Sequence, residues 1–382
     1  MSRGRVLVAM SGGVDSSVAA WLLLEQGYEC IGATMRLATN EDDRPSERTC
    51  CSTDDVADAR EACWNLGIRH HVFDYTHEFA RDVIDPFVAD YQAGRTPNPC
   101  VGCNRHLKFG ALLDRALELG CDYLATGHYA RVERIDAAPQ HGASATPAGS
   151  TGEPGRLRSD ASPTYRLLKG VDGAKDQSYF LHGLTQERLA HVLLPLGGLI
   201  KATEVRQLAE RAGLSVASKK DSEGICFVPG GDHLRFIEER TGERAPEGDI
   251  LDTSGNALGR HAGALRYTIG QRKGLGVAST RPLYVCRIDT RANTVTLGDT
   301  ADLMSQELTA EGFSWIAGAA PAEPIRAAAK VRYHQPDQPC MATPLPGGRV
   351  HIAFDEPQRA VTSGQAVVLY QGEQVLGGGT IA

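Results

Sequence analysis

A glycine- and serine-rich turn near the amino terminus constrains the fold of this chain more than any other sequence feature. It reads SGGVDSS over residues 11–17, follows an apolar run at 6–10 and precedes an apolar stretch at 18–26. Glycine lets backbone N–H groups approach an anion, hydroxyls add hydrogen bonds, and the positive end of a helix dipole faces the same point. The turn lacks the lysine of a Walker A loop and does not match G-x-G-x-x-G. It predicts a phosphate cradle; the simpler alternative is a turn in which Asp15 or Ser16 caps the helix.

Short apolar runs alternate with helical patterns over the first third of the chain. Residues 6–10, 30–35, 71–75 and 123–126 are predicted to be strands. Two helices are predicted, one over 18–26 before Gly27 and one over 109–117 before Gly120, because glycine often ends a helix. This β–α alternation is typical of a parallel sheet covered by helices on both faces.

The rest of the chain divides into three segments that differ in composition and apolar pattern. Residues 136–163 are rich in Ala, Pro, Gly, Ser and Thr and nearly lack large apolar side chains, which predicts a flexible surface insertion. Helical patterns return at 186–212 and 234–240 and predict a small helical middle region. Later, short runs typical of strands favour an antiparallel barrel or sandwich. These runs lie at 283–288, 294–297, 327–333, 349–354 and 366–370.

Composition and charge exclude several classes of protein. The 382 residues are 42% apolar and 23% charged, which is typical of a globular chain rather than a disordered or fibrous one. The longest wholly apolar run, 18–24, is far shorter than the roughly 20 residues of a membrane span, so we expect a cytoplasmic protein with no membrane partner. A net charge of −7 argues against a general nucleic-acid coat protein. Residues 256–291 nevertheless contain seven Lys or Arg and one acid, a basic stretch suited to a phosphate backbone.

Two cysteine segments are candidates for sulfur chemistry. The segment TPNPCVGCN at 96–104 places Cys100 and Cys103 in a C-x-x-C before a predicted helix, whose amino end would stabilise a thiolate at Cys103. The segment DSEGICF at 221–227 places Cys226 after Lys219 and Lys220, and both of these charges also favour a thiolate.

Other uses of the cysteines fit the sequence less well. A structural zinc site would need a second ligand pair at zinc spacing, which Cys50, Cys51 and Cys63 do not supply, and no protein metal site is expected. A thioredoxin-type pair would follow the first strand of a βαβ unit, whereas this pair follows a proline-rich loop. Further cysteines, Cys30, Cys63, Cys121 and Cys286, are interpreted as small core residues.

Seven blocks in order along the chain resemble the bacterial tRNA-specific 2-thiouridylases of the MnmA type, which belong to the PP-loop ATP pyrophosphatases. They are AMSGGVDSS at 9–17, TPNPCVGCN at 96–104, ATGHYAR at 125–131, KDQSYFL at 175–181, DSEGICF at 221–227, YTIGQRKGLG at 267–276 and KVRY at 330–333. The resemblance implies an α/β PP-loop ATP-binding domain over 1–187 with the insertion at 136–163. It further implies a central helical domain over 188–247 that carries Cys226, and a tRNA-docking β-barrel over 248–382.

The resemblance also implies a reaction, ATP-dependent 2-thiolation of the wobble uridine in tRNAs for Lys, Glu and Gln. ATP adenylates O2 of the uracil, and a persulfide sulfur then replaces that oxygen. Cys226 corresponds to the persulfide carrier and Cys103 to the nucleophile, so a Cys103–Cys226 disulfide would remain after delivery. The implied ATP-binding residues are Ala9, Met10, Ser11, Gly12, Gly13, Val14, Asp15, Ser16, Ser17, Met35 and Gly127. Those implied to contact tRNA are Asn98, Pro99, Cys100, His128, Lys175, Asp176, Gln177, Arg332, Tyr333 and Gln365.

Cofactors and partners follow from the same resemblance. Mg²⁺ is expected with ATP, and Asp15 is the nearest candidate carboxylate. A persulfide donor fed by a cysteine desulfurase is implied. Many relatives have Asp where this chain has Cys100, so Cys100, Cys103 and Cys226 together suggest a rival mechanism on an iron–sulfur cluster. Two rival functions are a PP-loop ligase that adenylates a small molecule and a noncatalytic RNA-binding module.

Overall fold

The structure is a computed structural model that describes residues 2–37, 53–136, 164–219 and 224–382. Several sequence features lie outside the described residues: the insertion predicted at 136–163 apart from its first residue, the pair Cys50 and Cys51, Lys220, and the segment 221–223 before Cys226.

The strands of the described residues are, in chain order, β1 (Arg5–Ala9), β2 (Glu29–Arg36), β3 (Arg69–Asp74), β4 (Tyr123–Ala125), β5 (Ala130–Ile135), β6 (Thr164–Lys169), β7 (Val192–Leu193), β8 (Gly248–Asp252), β9 (Ala257–His261), β10 (Tyr284–Asp289), β11 (Thr294–Gly298), β12 (Met304–Trp315), β13 (Ile325–Lys330), β14 (Gln338–Leu345), β15 (Arg349–Arg359), β16 (Ala366–Gln371) and β17 (Gln374–Ile381). All the strands predicted from sequence are confirmed to within a few residues.

The α-helices of the same residues are α1 (Val14–Glu25), α2 (Thr53–Asn65), α3 (Thr76–Phe79), α4 (Asp85–Gln92), α5 (Pro99–Gly102), α6 (Leu113–Glu118), α7 (Gln186–Leu189), α8 (Arg206–Arg211) and α9 (His233–Thr241). Segments with wider π-helical turns occupy Ala80–Ile84, Cys103–Leu112 and Lys201–Val205. Short 3-10 turns occupy Ser178–Leu181, Ser215–Ser218, Pro229–Gly231, Ala264–Arg266 and Ala301–Leu303.

A parallel five-stranded sheet forms the amino-terminal part, in the order β3-β2-β1-β4-β7. Its central strand β1 is almost wholly buried because helices cover both faces, as its unbroken apolar run predicts. The edge strand β7 lies inside the region predicted to be helical, between α7 and α8. Two residues are too few to show a strand period, which explains why the sequence pattern missed it. Residues 10–13 leave the end of β1 and lead directly into α1.

The residues after 248 form two sheets, which the sequence pattern did not separate. A four-stranded sheet has the order β10-β11-β8-β9. A second sheet runs β12-β15-β14-β13-β16-β17, and β12 also pairs with β17, so these strands close into an antiparallel barrel. The hairpin of β5 and β6 joins the outside of β17 through the pair Gln374 and Leu168.

The largest apolar core is shared between the parallel sheet and the barrel. It contains Leu7 from β1 and Phe109 from the helical region before α6, together with Val368 and Tyr370 from β16. The barrel has its own second core, which includes Ile352 and Leu369. Because one core joins the two parts, the barrel holds a fixed position beside the nucleotide sheet.

Candidate nucleotide and thiol site

The predicted cradle is a helix amino end with no side-chain cap. Gly13 is the N-cap of α1 in an extended conformation and, because glycine has no side chain, it does not cap the N–H groups of the first turn. The hydroxyls of Ser16 and Ser17 donate instead to the Gly13 carbonyl oxygen, at 3.1 and 3.0 Å. The hydroxyls of Ser11 and Ser16 lie 3.2 Å apart. The turn therefore does not have the capped form of the simpler alternative, and its N–H groups are suited to an anion.

Two glycines of the motifs are required by close packing around this loop. Gly12 has φ +69°, and a Cβ there would lie 2.3 Å from the backbone oxygen of Asp55 in α2. A Cβ on Gly127 would lie 2.9 Å from the Asp15 carbonyl carbon and the Ser16 nitrogen. The strand-end segment after β4 thus lies directly against the first turn of α1, and only glycine permits this approach.

The Asp15 carboxylate binds side chains of the protein. Its Oδ1 accepts a hydrogen bond from Tyr129 Oη at 2.7 Å, and its Oδ2 lies 2.7 Å from Lys201 Nζ. The Lys201 side chain is 9% exposed, so this ion pair is largely shielded from solvent. Among the residues that the structure describes, no group of three or more His, Cys, Asp or Glu is arranged to hold a metal ion. Asp15 in this arrangement does not fit the Mg²⁺ ligand suggested from sequence.

Three of the predicted ATP-binding residues, Ala9, Met10 and Met35, lie at the carboxyl ends of β1 and β2. Met10 follows β1 directly, and its backbone N–H donates to the Ala33 oxygen at 2.8 Å. Thr34 Oγ1 donates to the Met10 oxygen at 2.8 Å. Met35, one residue before the end of β2, is buried in the shared core. The contacts of these three residues with ATP stay a prediction.

The C-x-x-C lies in the first turns of a helix that starts earlier than predicted. The helix begins at Pro99, a residue favoured in a first turn, and continues through Cys103–Leu112 into α6. Cys100 is exposed in the first turn, whereas the N–H of Cys103 is already bonded to helix carbonyls. The expectation that the helix amino end stabilises a Cys103 thiolate is therefore wrong for Cys103, because that end lies at Pro99 and Cys100.

Cys226 and Cys103 pack against the same core from distant parts of the chain. Both are partly exposed, and both contact the shared core of the sheet and barrel. Next to Cys226, the Phe227 ring packs edge-on against Phe79 and Phe87, with centroids 5.5 and 5.1 Å away. Both predicted sulfur residues therefore pack against one core, and their direct approach to each other stays a prediction. Cys100, Cys103 and Cys226 do not form a group that could hold a metal among the described residues, so they do not fit an iron–sulfur cluster here.

Lys219 has a different environment from the one expected. Its ammonium lies 3.0 Å from the Gly12 oxygen and 2.8 Å from Asp55 Oδ1, and it also contacts Asp58. The charge of Lys219 is therefore directed at the nucleotide loop, and its expected effect on a thiolate at Cys226 stays a prediction.

Several residues predicted to contact tRNA surround the loop before the C-x-x-C. Gln365 Nε2 donates to the Thr96 oxygen at 2.8 Å, and the Tyr179 hydroxyl, which lies close to Asn98, donates to the Ala366 oxygen at 2.7 Å. The Tyr333 ring lies 4.5 Å from the Phe180 ring.

Arg332 lies beside the same cluster and is mostly buried. It donates to the Ile269 oxygen at 3.0 Å and to Thr362 Oγ1 at 2.6 Å, so it connects the segment between β9 and β10 with the barrel. Burial lowers the pKa of the guanidinium from its ordinary value.

The remaining predicted tRNA residues lie inside the fold or partly so. His128 is 8% exposed and its Nδ1 lies 2.7 Å from Thr126 Oγ1. Burial lowers the pKa of His128 well below its ordinary value, and the nearby Lys108 charge adds to this. Asp176 is buried and accepts from the N–H groups of Gly170 and Ser178. Pro99 is buried, Gln177 Oε1 accepts from the Tyr129 N–H, and Lys175 is half-buried.

The sequence patterns missed the side chains that support the loop. Tyr129 and Lys201 reach Asp15 from 114 and 186 positions along the chain, and Tyr179 reaches Asn98 and the Ala366 oxygen. Tyr129 and Tyr179 do lie inside the motif blocks ATGHYAR and KDQSYFL, which gave the available signal. Nothing in the sequence distinguishes Lys201 from a surface lysine.

Comparison with known proteins gives matches along the whole chain. Residues 4–230 match the family described as tRNA methyl transferase HUP domain, residues 234–299 the tRNA methyl transferase PRC-barrel domain, and residues 305–381 the aminomethyltransferase beta-barrel domain. Among the described residues, no helix has the length and apolar character needed to cross a membrane.

Three full-length relatives carry the same name, tRNA-specific 2-thiouridylase MnmA. The one from Acetivibrio thermocellus is 46% identical, with 100% of both chains covered. The one from Geobacter metallireducens is 47% identical over 100% of this chain and 97% of its own. The one from Geotalea uraniireducens is 48% identical over 99% of this chain and 95% of its own.

Proposed function

Because the chain belongs to the family of MnmA-type tRNA-specific 2-thiouridylases, we propose that it is a tRNA-uridine 2-sulfurtransferase that uses ATP. The observation that carries this proposal is the pairing of an uncapped helix end with two partly exposed cysteines that pack on one core. A small-molecule ligase needs only the uncapped helix end, and an RNA-binding module needs neither the helix end nor the two cysteines.

The cradle at residues 11–17 is suited to the phosphates of ATP, because the backbone N–H donors of its helix end have no side-chain cap and can bind an anion. In the first step, O2 of the uracil attacks the α-phosphorus and pyrophosphate leaves. O2 is then bonded to AMP, a much better leaving group than the original oxygen. Met35 and Gly127 would line the adenosine, and Asp15 would keep its place through Tyr129 and Lys201.

In the second step, the terminal sulfur of a Cys226 persulfide attacks C2 of the uracil, and AMP leaves with the former O2. The Cys103 thiolate then attacks Sγ of Cys226 and breaks the sulfur–sulfur bond. The electron pair of that bond remains on the sulfur now attached to C2, which gives 2-thiouridine and a Cys103–Cys226 disulfide. A dithiol reductant returns two electrons and restores both thiols.

The finer assignments belong to the same proposal. The substrate is the wobble uridine of tRNAs for Lys, Glu and Gln, Mg²⁺ accompanies ATP, and a persulfide donor fed by a cysteine desulfurase loads Cys226 in the cytoplasm. Residues 1–187 bind ATP, 188–247 carry Cys226, and 248–382 help to dock tRNA. Asn98, Arg332, Tyr333 and Gln365, which cluster around the Cys103 loop, support a tRNA site there.

The decisive experiment combines purified protein, unmodified tRNA transcript, ATP and a persulfide donor, and measures nucleosides by mass spectrometry and AMP by chromatography. We expect 2-thiouridine and AMP in equal amounts, and neither without tRNA. AMP formed without tRNA would indicate a small-molecule ligase, and absence of both products would indicate a noncatalytic module. Protein purified without oxygen should contain no stoichiometric iron, whereas one cluster per chain together with activity would reject the persulfide route.

A further inference from the structure

The nucleotide loop has little positive charge of its own. Residues 11–17 contain no Lys or Arg and one acid, Asp15, whose charge is offset by Lys201. Breaking the bond between the α- and β-phosphates places additional negative charge on the departing pyrophosphate. Phosphoryl chemistry depends on stabilising such charge, and N–H groups alone carry only partial charges. Positive charge beyond that of the motif must therefore come from the Mg²⁺ proposed to accompany ATP and from side chains of other segments.

Lys219 reaches this loop from a distant part of the chain. Its ammonium contacts the Gly12 oxygen, Asp55 and Asp58, so its three N–H groups have three acceptors. Burial by itself would lower the pKa of Lys219, but the hydrogen bonds and charges of Asp55 and Asp58 raise it above its ordinary value. The ammonium is therefore charged at neutral pH, and its side chain is 33% exposed.

We propose that Lys219 is a ligand of the pyrophosphate part of ATP, which extends the proposed function and rests on it. The neutral Gly12 carbonyl is the weakest of its three acceptors, because hydrogen bonds between charged groups are stronger. A phosphate oxygen replaces that carbonyl, while Asp55 and Asp58 keep the ammonium beside the cradle. Lys219 also separates these two carboxylates from the phosphates, which they would otherwise repel.

Lys201 does not have this role, although it also reaches the loop. Its side chain is nearly buried, it pairs with Asp15, and its Nζ lies 5.7 Å from the centre of the Tyr129 ring. Moving that nearly buried ammonium toward a phosphate would take from Asp15 its charged partner. Lys219, whose side chain is 33% exposed, can exchange one neutral acceptor and still keep both of its carboxylate partners.

The test compares two ligands in the full-length protein by calorimetry: an ATP analogue that cannot be cleaved between the α- and β-phosphates, and AMP. For Lys219→Met we expect the Kd of the analogue to rise about tenfold or more, since one charged hydrogen bond is lost. The Kd of AMP, which lacks the pyrophosphate, should stay within about twofold. An unchanged Kd for the analogue, or an equal loss for both ligands, would overturn the proposal.

Two controls isolate the direct contact. Lys169, at the end of β6, forms an ion pair with Asp337, and the variant Lys169→Met should leave both Kd values unchanged. In the triple variant Lys219→Met, Asp55→Asn, Asp58→Asn the analogue should still bind weakly. A return to wild-type affinity would mean that Lys219 only screens the two carboxylates, and the ligand assignment would be wrong.

Further outcomes separate this proposal from the proposed function. If Lys219→Met does not fold, Lys219→Gln, which can still hydrogen-bond Asp55, carries the same expectation. If the wild-type protein and the Lys219 variant bind the analogue equally well, only the role of Lys219 is rejected. Wild-type protein that binds no analogue would reject ATP use, and this inference with it.

Discussion

At the scale of single residues, the cysteines differ sharply in their capacity for chemistry. Burial raises the pKa of the Cys30 thiol to about 11 and those of Cys63 and Cys340 to about 12, so these thiols stay protonated at neutral pH. Cys103 and Cys226 are partly exposed by contrast. Of the four cysteines interpreted from sequence as core residues, Cys30, Cys63 and Cys121 are buried, whereas Cys286 is only half-buried.

Changing Cys226 to Ser should abolish 2-thiouridine formation and leave the binding of ATP and tRNA nearly intact, because a hydroxyl cannot carry a persulfide. Nucleoside mass spectrometry and calorimetry measure the two effects. Cys286→Ser, a half-buried thiol on β10, is the matched control and should retain activity. Normal thiolation by the Cys226 variant would reject its role as carrier.

His182 should make the stability of the protein depend on pH. It is 1% exposed, and neither ring nitrogen has a hydrogen-bond partner among the described residues. Burial lowers its pKa to about 3, and the Arg105 charge adds to this. The unfolded chain takes up a proton near pH 6.5 and the native protein does not, so stability present at neutral pH is lost as the pH falls from about 6.5 toward 3.

The size of this effect can be measured by urea unfolding at several pH values. One proton taken up only by the unfolded chain corresponds to a slope of about 1.4 kcal/mol per pH unit. His182→Asn should reduce the slope of the unfolding free energy between pH 6 and 4.5 by a large part of that amount. The pKa of His128 is also lowered, so this residue should contribute to the slope that remains. His351→Asn on the surface is the control. Equal slopes in wild type and His182→Asn would contradict the assignment.

At the scale of elements, apolar periodicity predicted the buried strands and helices but missed helix ends and kinks. A further helical segment, which begins at Pro99, precedes the helix predicted over 109–117. The sequence pattern missed this segment because residues 100–106 have no helical apolar stripe. Gly110 interrupts it with φ −99° and ψ −105°, a local conformation that no spacing rule contains. Lys201 and Tyr129 could not be assigned to the site because tertiary folding alone brings them to Asp15.

Replacing Gly127 by Ala should impair the nucleotide loop, because the added Cβ would lie 2.9 Å from backbone atoms of Asp15 and Ser16. We expect the Kd for ATP to rise at least about tenfold, with a modest loss of thermal stability. Gly173→Ala is the matched control, since a Cβ there meets nothing within 4 Å. Unchanged ATP affinity in the Gly127 variant would show that the loop tolerates displacement.

At the scale of the whole molecule, charge is distributed unevenly over an acidic protein. Arg266, Arg272, Lys273 and Arg281 are exposed on the segment between β9 and β10, whereas Arg260 and Arg287 lie near carboxylates. The sequence located this basic stretch correctly because charge can be counted without a fold. It could not show that two sheets share the last third of the chain, because the pattern of one strand does not indicate which strands it pairs with.

The double change Arg272→Ala and Lys273→Ala should weaken tRNA binding at low salt. If both side chains contact phosphates, the slope of log K against log salt concentration should become shallower by about 1 to 2. Filter binding at several salt concentrations measures the slope. The control variant Arg60→Ala and Arg69→Ala removes the same charge from α2 and β3 and should leave the salt slope unchanged. Equal slopes for wild type and the first variant would remove this segment from the tRNA interface.

The hairpin of β5 and β6 has a consequence for how chains of this kind diversify. The two strands pair in register from Ala130 with Lys169 to Ile135 with Thr164, so the points where the chain departs and returns are held side by side. A stretch inserted between two such anchored points can grow, shrink or be exchanged over generations without moving the sheet or the barrel. This junction is therefore a natural location for grafting a foreign domain or opening new chain ends, with the sulfur chemistry left in place.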